Sequence, residues 1–326
     1  MADQPRTEEA AGHATDSDTS ITQRKQEVDK ALMETVLVSL RGSLKELEED
    51  NWLYEAPRAI RAAKELSSRA LWLTQEVIYV NSADYTAWAY RWQCLESLGN
   101  LDDEMVFIKE MASRSPKNYQ LWNHRRKFAF KRGASYAQEE LAYAADCLAE
   151  DAKNYHAWSH RQAIVRHFGL WQQEFEAVHE LLVEDVRNNS AWNQRFFIIS
   201  ESAIFPDERE ADELQFVKGK ILECPYNESS WSYFRGLLSL PDVKRQHGLL
   251  GSVASFTLQV LEATPSCPPA LTLLGDICTM GTVQERKKCL VQHLHILQEL
   301  YNADPLRCPY WKAQVQHLVD EVHATA

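Results

Sequence analysis

The sequence predicts an all-α fold, a right-handed superhelical solenoid of antiparallel helix hairpins. Two observations predict it: the composition and an internal repeat centred on tryptophan. Of 326 residues, 45% are hydrophobic, but only 11 are Gly and 11 are Pro. Few Gly and Pro beside many Leu, Ala and Glu favour helices over short strands and turns.

The repeat organises the middle of the chain. Five segments align on their Trp, and they are Tyr85–Trp88, Asn118–Trp122, Asn154–Trp158, Asn188–Trp192 and Asn227–Trp231. The steps between successive Trp are 34, 36, 34 and 39 residues. A fixed period of this length is typical of helix-pair solenoids, in which stacked units bury apolar faces that one pair would leave exposed. The long last step is consistent with an insertion at 205–208.

Each unit is predicted to hold two helices. In the third unit, the first would cover 140–149, with Leu141, Ala145 and Leu148 facing inward, and the second would run over about 158–167. The link between them is polar and contains an Asn, a favourable residue at a helix start. Tetratricopeptide arrays have a similar period, but Leu-Gly and Tyr follow their Trp, whereas a polar pair and Arg follow it here.

An Arg lies three residues after the Trp in the first four units. Residues three apart share a helix face, so the Arg can pack beside the indole and reach a carboxylate of the next unit. This pattern predicts residues for architecture and subunit contacts, namely Trp122, Arg125, Trp158, Arg161, Trp192 and Arg195.

The predicted organisation is one helical-repeat domain preceded by a tail. Residues 1–21 are acidic and almost without large apolar side chains, so we expect them to be disordered. The domain would cover 22–326, with clear repeats over about 67–236 and degenerate closing repeats over 237–326. Amphipathic patterns extend over 248–262 and 284–300. Two further expectations are that Pro57 begins a helix and that Tyr310 opens a last short one.

Charge and cysteine content exclude several classes of protein. The net charge is -12, which argues against a nucleic-acid binder. No signal peptide or long apolar span is evident, so we expect a cytoplasmic protein without a membrane span. The seven Cys include no CxxC pair, and His156 and His160, though four apart, have no evident third ligand. We therefore expect no metal site in this chain.

Four segments carry a resemblance to a known family. They are 117–126, 151–162, 184–197 and 227–231, and together they resemble motifs two to five of protein prenyltransferase α subunits. The run from Asp185 to Arg195 resembles the α subunits shared by farnesyltransferase and type I geranylgeranyltransferase more closely than the Rab-specific ones.

The resemblance implies a scaffold that wraps a separate β subunit. The partners expected on this basis are the β subunits of farnesyltransferase and of geranylgeranyltransferase type I, farnesyl or geranylgeranyl diphosphate, and CaaX-terminated proteins. The complex would join the isoprenoid to the CaaX Cys. Zinc would be held by the β subunit, magnesium is expected for the holoenzyme, and no cofactor is expected on this chain.

The resemblance also implies site residues. Lys117 matches a lysine that contacts the isoprenoid diphosphate and is the expected catalytic residue. Gln120 matches a glutamine that binds the CaaX carboxylate, and Tyr119 matches a tyrosine at the mouth of the same cavity. Substrate-binding roles are also expected for side chains at equivalent loop positions, namely Tyr85, Asn154, Tyr155 and His156.

Two alternatives stay open from the sequence. One is a Rab geranylgeranyltransferase α subunit, which would need an escort protein and a double-Cys substrate. The other is a non-enzymatic helical-repeat adaptor, for which a Lys, Tyr and Gln together at a hairpin tip would have no purpose.

Overall fold

The structure, a computed structural model, describes most of the chain. The described ranges are 52–99, 101–202, 207–240, 249–279 and 283–325. They contain fifteen α-helices and no strand, so the prediction of an all-α array of helix hairpins is confirmed. No helix among them is long and apolar enough to cross a membrane. The predicted acidic tail lies outside the described residues.

The helices follow one another with short links. In chain order they are α1 Trp52–Ala62, α2 Ser68–Val80, α3 Tyr85–Leu98, α4 Glu104–Arg114, α5 Tyr119–Arg132, α6 Ala137–Glu150, α7 Tyr155–Phe168, α8 Trp171–Glu184, α9 Asn189–Glu201, α10 Asp207–Glu223, α11 Glu228–Ser239, α12 Leu249–Ala263, α13 Pro268–Thr279, α14 Val283–Ala303 and α15 Cys308–Thr325. Single turns of 3₁₀-helix at Ala134–Tyr136 and Pro305–Arg307 precede α6 and α15.

The chain divides into two compact units between His124 and Arg125. Consecutive helices pair within each unit: α2 with α3 in the first, and α6 with α7, α8 with α9 and α10 with α11 in the second. The repeat Trp side chains lie in the cores, where Trp192 and Trp231 are 1% and 0% exposed. A smaller apolar cluster lies under Trp311 near the end of the chain.

The links between paired helices are built by side-chain caps. In α7, Asn154 Oδ1 accepts hydrogen bonds from the backbone N–H of His156 at 3.0 Å and of Ala157 at 3.2 Å. Asn and Asp are strong N-caps because they satisfy backbone donors that the first turn leaves unpaired. The helix ends at Gly169, whose φ of 69° is a left-handed conformation that glycine adopts without strain. Asp84 caps α3 in the same way.

In the third unit both helices begin three residues earlier than predicted, at Ala137 and Tyr155, and one inward residue also differs. Leu141 and Leu148 are buried, but Ala144 rather than Ala145 is the inward alanine. Both alanines are three or four residues from each leucine, but Ala137 and Glu140 are buried on the same face, and the centre of that face passes through Ala144 and leaves Ala145 at its edge.

Two predictions at the chain ends are wrong. Pro57 lies inside α1, which begins at Trp52, instead of opening a helix. The last helix begins at Cys308, ahead of Tyr310, and it is 18 residues long rather than short.

Candidate functional site

Buried ion pairs join consecutive repeats. In the first four repeats, the Arg three residues after the Trp is bonded to the Glu near the start of the next repeat. The shortest distances are 2.7 Å for Arg91–Glu104, 2.8 Å for Arg125–Glu140, 2.7 Å for Arg161–Glu174 and 2.5 Å for Arg195–Glu213. All eight side chains are less than a tenth exposed. Because a buried charge is costly without a partner, these pairs tie each hairpin to its neighbour.

Each of these carboxylates has a second partner from the second helix of its own repeat. The distances are 2.6 Å for His124–Glu104, 2.7 Å for His160–Glu140, 2.7 Å for Gln194–Glu174 and 2.5 Å for Tyr233–Glu213. Burial acts to raise the pKa of Glu140, but the hydrogen bond from His160 and the charge of Arg125 outweigh it and hold the pKa below its ordinary value. The pKa of Glu104 is lowered by the same balance.

The guanidinium groups also lie against aromatic rings. Arg195 Cζ is 4.2 Å from the ring centre of Phe175 and 4.1 Å from that of Phe216. Among the described residues, Arg195 Nη1 is buried and has no hydrogen-bond partner. The negative faces of the two rings compensate part of the charge at this position.

The repeat Trp side chains form hydrogen bonds to the links that precede their helices. In five repeats the indole Nε1 donates to the carbonyl six residues earlier, at Ser82, Pro116, Ala152, Val186 and Pro225, over 2.7 to 2.9 Å. A Trp at this position therefore contributes both buried area and a bond that fixes the loop before its own helix.

The link ahead of α5 presents Lys117. The Trp122 indole holds the carbonyl of Pro116 at 2.7 Å, and the backbone N–H of Asn118 donates to Ser115 O at 3.1 Å. Lys117 is exposed between these two anchored residues. The loop thus presents an ammonium group on a fixed stretch of backbone.

Exposed tyrosines occupy the first position of three second helices. Tyr85, Tyr119 and Tyr155 are 71%, 67% and 65% exposed, although each adjoins a well-capped helix start. Large exposed aromatic side chains at equivalent positions are suited to contacts with a partner.

The remaining predicted substrate-binding residues differ in exposure. Gln120 and His156 are half-buried. Asn154 is 8% exposed, and its oxygen is bonded to the backbone at the start of α7, so its observed role is that of a cap. His160 lies on Glu140 in the core, and no group of three or more potential metal ligands occurs among the described residues.

The position of the Arg predicted a carboxylate of the next unit as its partner, but it did not identify that partner as Glu104, Glu140, Glu174 or Glu213. The second partner of each Glu was not predicted. Glu104, Glu140 and Glu174 each lie 18 residues before the Trp of their own repeat, and this constant spacing was the available signal. The role of Asn118, which bonds backward to the carbonyl of Ser82 at 2.6 Å, was also not predicted.

Comparison with known proteins assigns the family. The family described as "Protein prenyltransferase alpha subunit repeat" matches at 69–98, 101–131, 137–168, 171–202 and 210–240. The chain is 33% identical over 270 residues to the protein farnesyltransferase/geranylgeranyltransferase type-1 subunit alpha of Candida albicans, covering 80% of this chain and 86% of that protein. It is 44% identical over 271 residues to the Arabidopsis thaliana subunit of the same name, covering 78% and 82%.

A solved structure agrees with these relatives. Candida albicans protein geranylgeranyltransferase-I complexed with GGPP matches with a TM-score of 0.70 and 29% identity, over 83% of this chain and 92% of that chain. The matched repeats coincide with the helix pairs from α2 to α11. This chain belongs to the family of protein prenyltransferase alpha subunits.

Proposed function

We propose that the chain acts as the shared α subunit of protein farnesyltransferase and geranylgeranyltransferase type I. It pairs with the β subunit of either enzyme. It scaffolds that subunit and contributes side chains that bind the isoprenoid diphosphate and the CaaX carboxylate during transfer to a Cys thiol. The identity to relatives of that name over more than three quarters of this chain supports the assignment.

The observation that supports the chemical part is the anchored backbone on either side of Lys117. When the bond between isoprenoid and diphosphate breaks, negative charge grows on the leaving group. A cation held in place stabilises that charge more than it stabilises the ground state, which lowers the barrier. The anchored backbone around Lys117 would limit the reorganisation needed to bring its ammonium group to the leaving group.

Binding roles follow for neighbouring residues. The Gln120 amide can donate to the CaaX carboxylate, because a neutral donor is desolvated at modest cost. Tyr85, Tyr119 and Tyr155 present apolar rings with polar tips to the partner and substrate. Asn154 supports His156 indirectly, by capping the helix on which His156 lies.

The metal chemistry belongs to the partner in this proposal. Zinc on the β subunit would activate the substrate thiolate, and magnesium would act on the diphosphate. A cytoplasmic location is proposed as well, and it is supported by seven Cys, all within the described residues, that form no disulfide.

Co-expression tests the proposal. The chain is produced with a farnesyltransferase β subunit, with a geranylgeranyltransferase type I β subunit, or alone. Isoprenoid transfer to a CaaX peptide is then measured, with a Cys→Ser peptide as control. We expect stable complexes and transfer with both β subunits and none with the chain alone. A stable monomer that captures neither β subunit would favour an adaptor, and a requirement for an escort protein and a double-Cys substrate would favour the Rab-specific class.

A further inference from the structure

Asn118 lies between Lys117 and Gln120 and makes contacts in two directions. Its Oδ1 accepts from the backbone N–H of Gln120 at 2.7 Å and of Leu121 at 3.1 Å. Its Nδ2 donates to Ser82 O, at 2.6 Å, in the link of the preceding repeat. One amide therefore caps α5 and also ties the start of α5 to the hairpin before it.

Ser82 O is itself held in place. It accepts from Trp88 Nε1 at 2.9 Å as well as from Asn118. Trp88 is 3% exposed, so this carbonyl is fixed to the core of its repeat. The hydrogen bond from Asn118 to Ser82 O therefore also restrains the backbone next to Lys117.

The chain contains a second copy of this arrangement. Asn227 Oδ1 accepts from the backbone N–H of Ser229 at 3.2 Å. Asn227 Nδ2 donates to Val186 O at 2.7 Å. Val186 O also accepts from Trp192 Nε1 at 2.8 Å. Tyr226 stands before Asn227 where Lys117 stands before Asn118. The local structure is thus the same, but the proposed diphosphate-binding lysine is absent.

We infer that Asn118 is a positioning residue for the transfer reaction: its bond to Ser82 O holds Lys117 where the leaving diphosphate develops charge. This inference rests on the proposed function. A displacement of about 1 Å in a catalytic group can lower a rate by up to ~100-fold. The tether therefore affects the rate of transfer as well as the stability of the fold.

The test uses the complex with the farnesyltransferase β subunit. The single-turnover rate constant of farnesyl transfer from farnesyl diphosphate is measured at saturating CaaX peptide. Asn118→Ser keeps an oxygen that can cap α5 but removes the amide donor, and Asn227→Ser makes the same change in the matched copy. Asn118→Asp keeps a capping oxygen on a side chain as long as that of Asn, as Asp84 does at the start of α3. This variant is used if Asn118→Ser fails to fold.

We expect Asn118→Ser to lower the rate constant about tenfold and Asn227→Ser to leave it unchanged. In a Lys117→Ala background, Asn118→Ser should lower it less than about twofold, because the effect acts through the lysine that is already removed. An equal fractional loss in both backgrounds, or an equal loss in Asn227→Ser, would overturn the inference alone. Absence of transfer by the unmodified complex would overturn the proposed function and this inference with it.

Discussion

Arg195 binds both oxygens of Glu213 across the junction of the fourth and fifth repeats. Its Nε lies 2.5 Å from Oε1 and its Nη2 lies 2.7 Å from Oε2. The two side chains are 2% and 3% exposed. A buried, bidentate ion pair of this kind fixes the relative orientation of the two helices and neutralises both charges.

Removal of the carboxylate charge should strongly destabilise the fold. Glu213→Gln leaves the Arg195 charge buried without its counter-ion, and we expect it to lower the free energy of unfolding by about 3–5 kcal/mol. Glu201→Gln is the matched control, because it breaks a pair with Arg166 whose side chains are 42% and 52% exposed. That change should cost no more than about 1 kcal/mol. Urea unfolding followed by circular dichroism measures both, and equal costs would contradict the role given to burial.

Stability should decrease on mild acidification because of His160. Burial lowers the pKa of its imidazole more than the bond to Glu140 raises it. The folded-state pKa therefore lies below the unfolded value near 6.5, so the unfolded chain binds the proton first as the pH falls. The stabilising contribution is complete above pH 6.5 and is lost as the pH falls through the folded pKa.

His160→Gln should remove that part of the pH dependence. Gln194 occupies the equivalent position in the next repeat and bonds to Glu174 at 2.7 Å, so glutamine fits this role. The measurement is the urea midpoint between pH 7.5 and pH 5, where the unmodified chain should lose more stability than the variant. Parallel pH profiles would show that His160 does not titrate with unfolding.

Gly236 marks a close approach of α11 to α9. A Cβ at this position would lie 2.8 Å from Cε2 of Phe196, whose ring also packs against Tyr233. Gly236→Ala should therefore destabilise the chain by about 1–3 kcal/mol through overpacking. The same change at Gly219, within α10 and with no atom nearby, should stabilise by about 0.5–1 kcal/mol. Thermal unfolding measures the change in stability of each variant. If both substitutions stabilised the chain, or both destabilised it, the close approach at Gly236 would be contradicted.

The sequence predicted those features that recur with the repeat. The period of Trp122, Trp158 and Trp192 predicted the helix pairs, because one side chain at one position serves the same packing in every unit. It could not predict α13, where Cys267 stands in place of the capping Asn and Leu271 in place of Trp. Cys267 Sγ still donates to Pro225 O at 3.2 Å, so the tertiary contact persists after the local pattern is lost.

The residues of the candidate site come from the motif alone, and their roles stay predictions. Lys117, Tyr119 and Gln120 follow from the resemblance, and the structure adds that the loop around them is anchored. The pattern predicted that Arg125 reaches a carboxylate of the next repeat, but it did not predict His160 as the second partner of Glu140, because that contact depends on how the two helices of the hairpin pack. The position of Pro57 inside α1 was missed because proline is more usual in a first turn.

The most direct measurement compares Lys117→Ala with Arg187→Ala in the complex with a farnesyltransferase β subunit. Both residues are exposed cations placed just before the Asn that caps a second helix. Lys117→Ala should lower the single-turnover rate of farnesyl transfer by about 100-fold or more, as expected for loss of a preorganised charge at the leaving group. Arg187→Ala should leave the rate unchanged. Full activity of the Lys117→Ala complex would contradict the account.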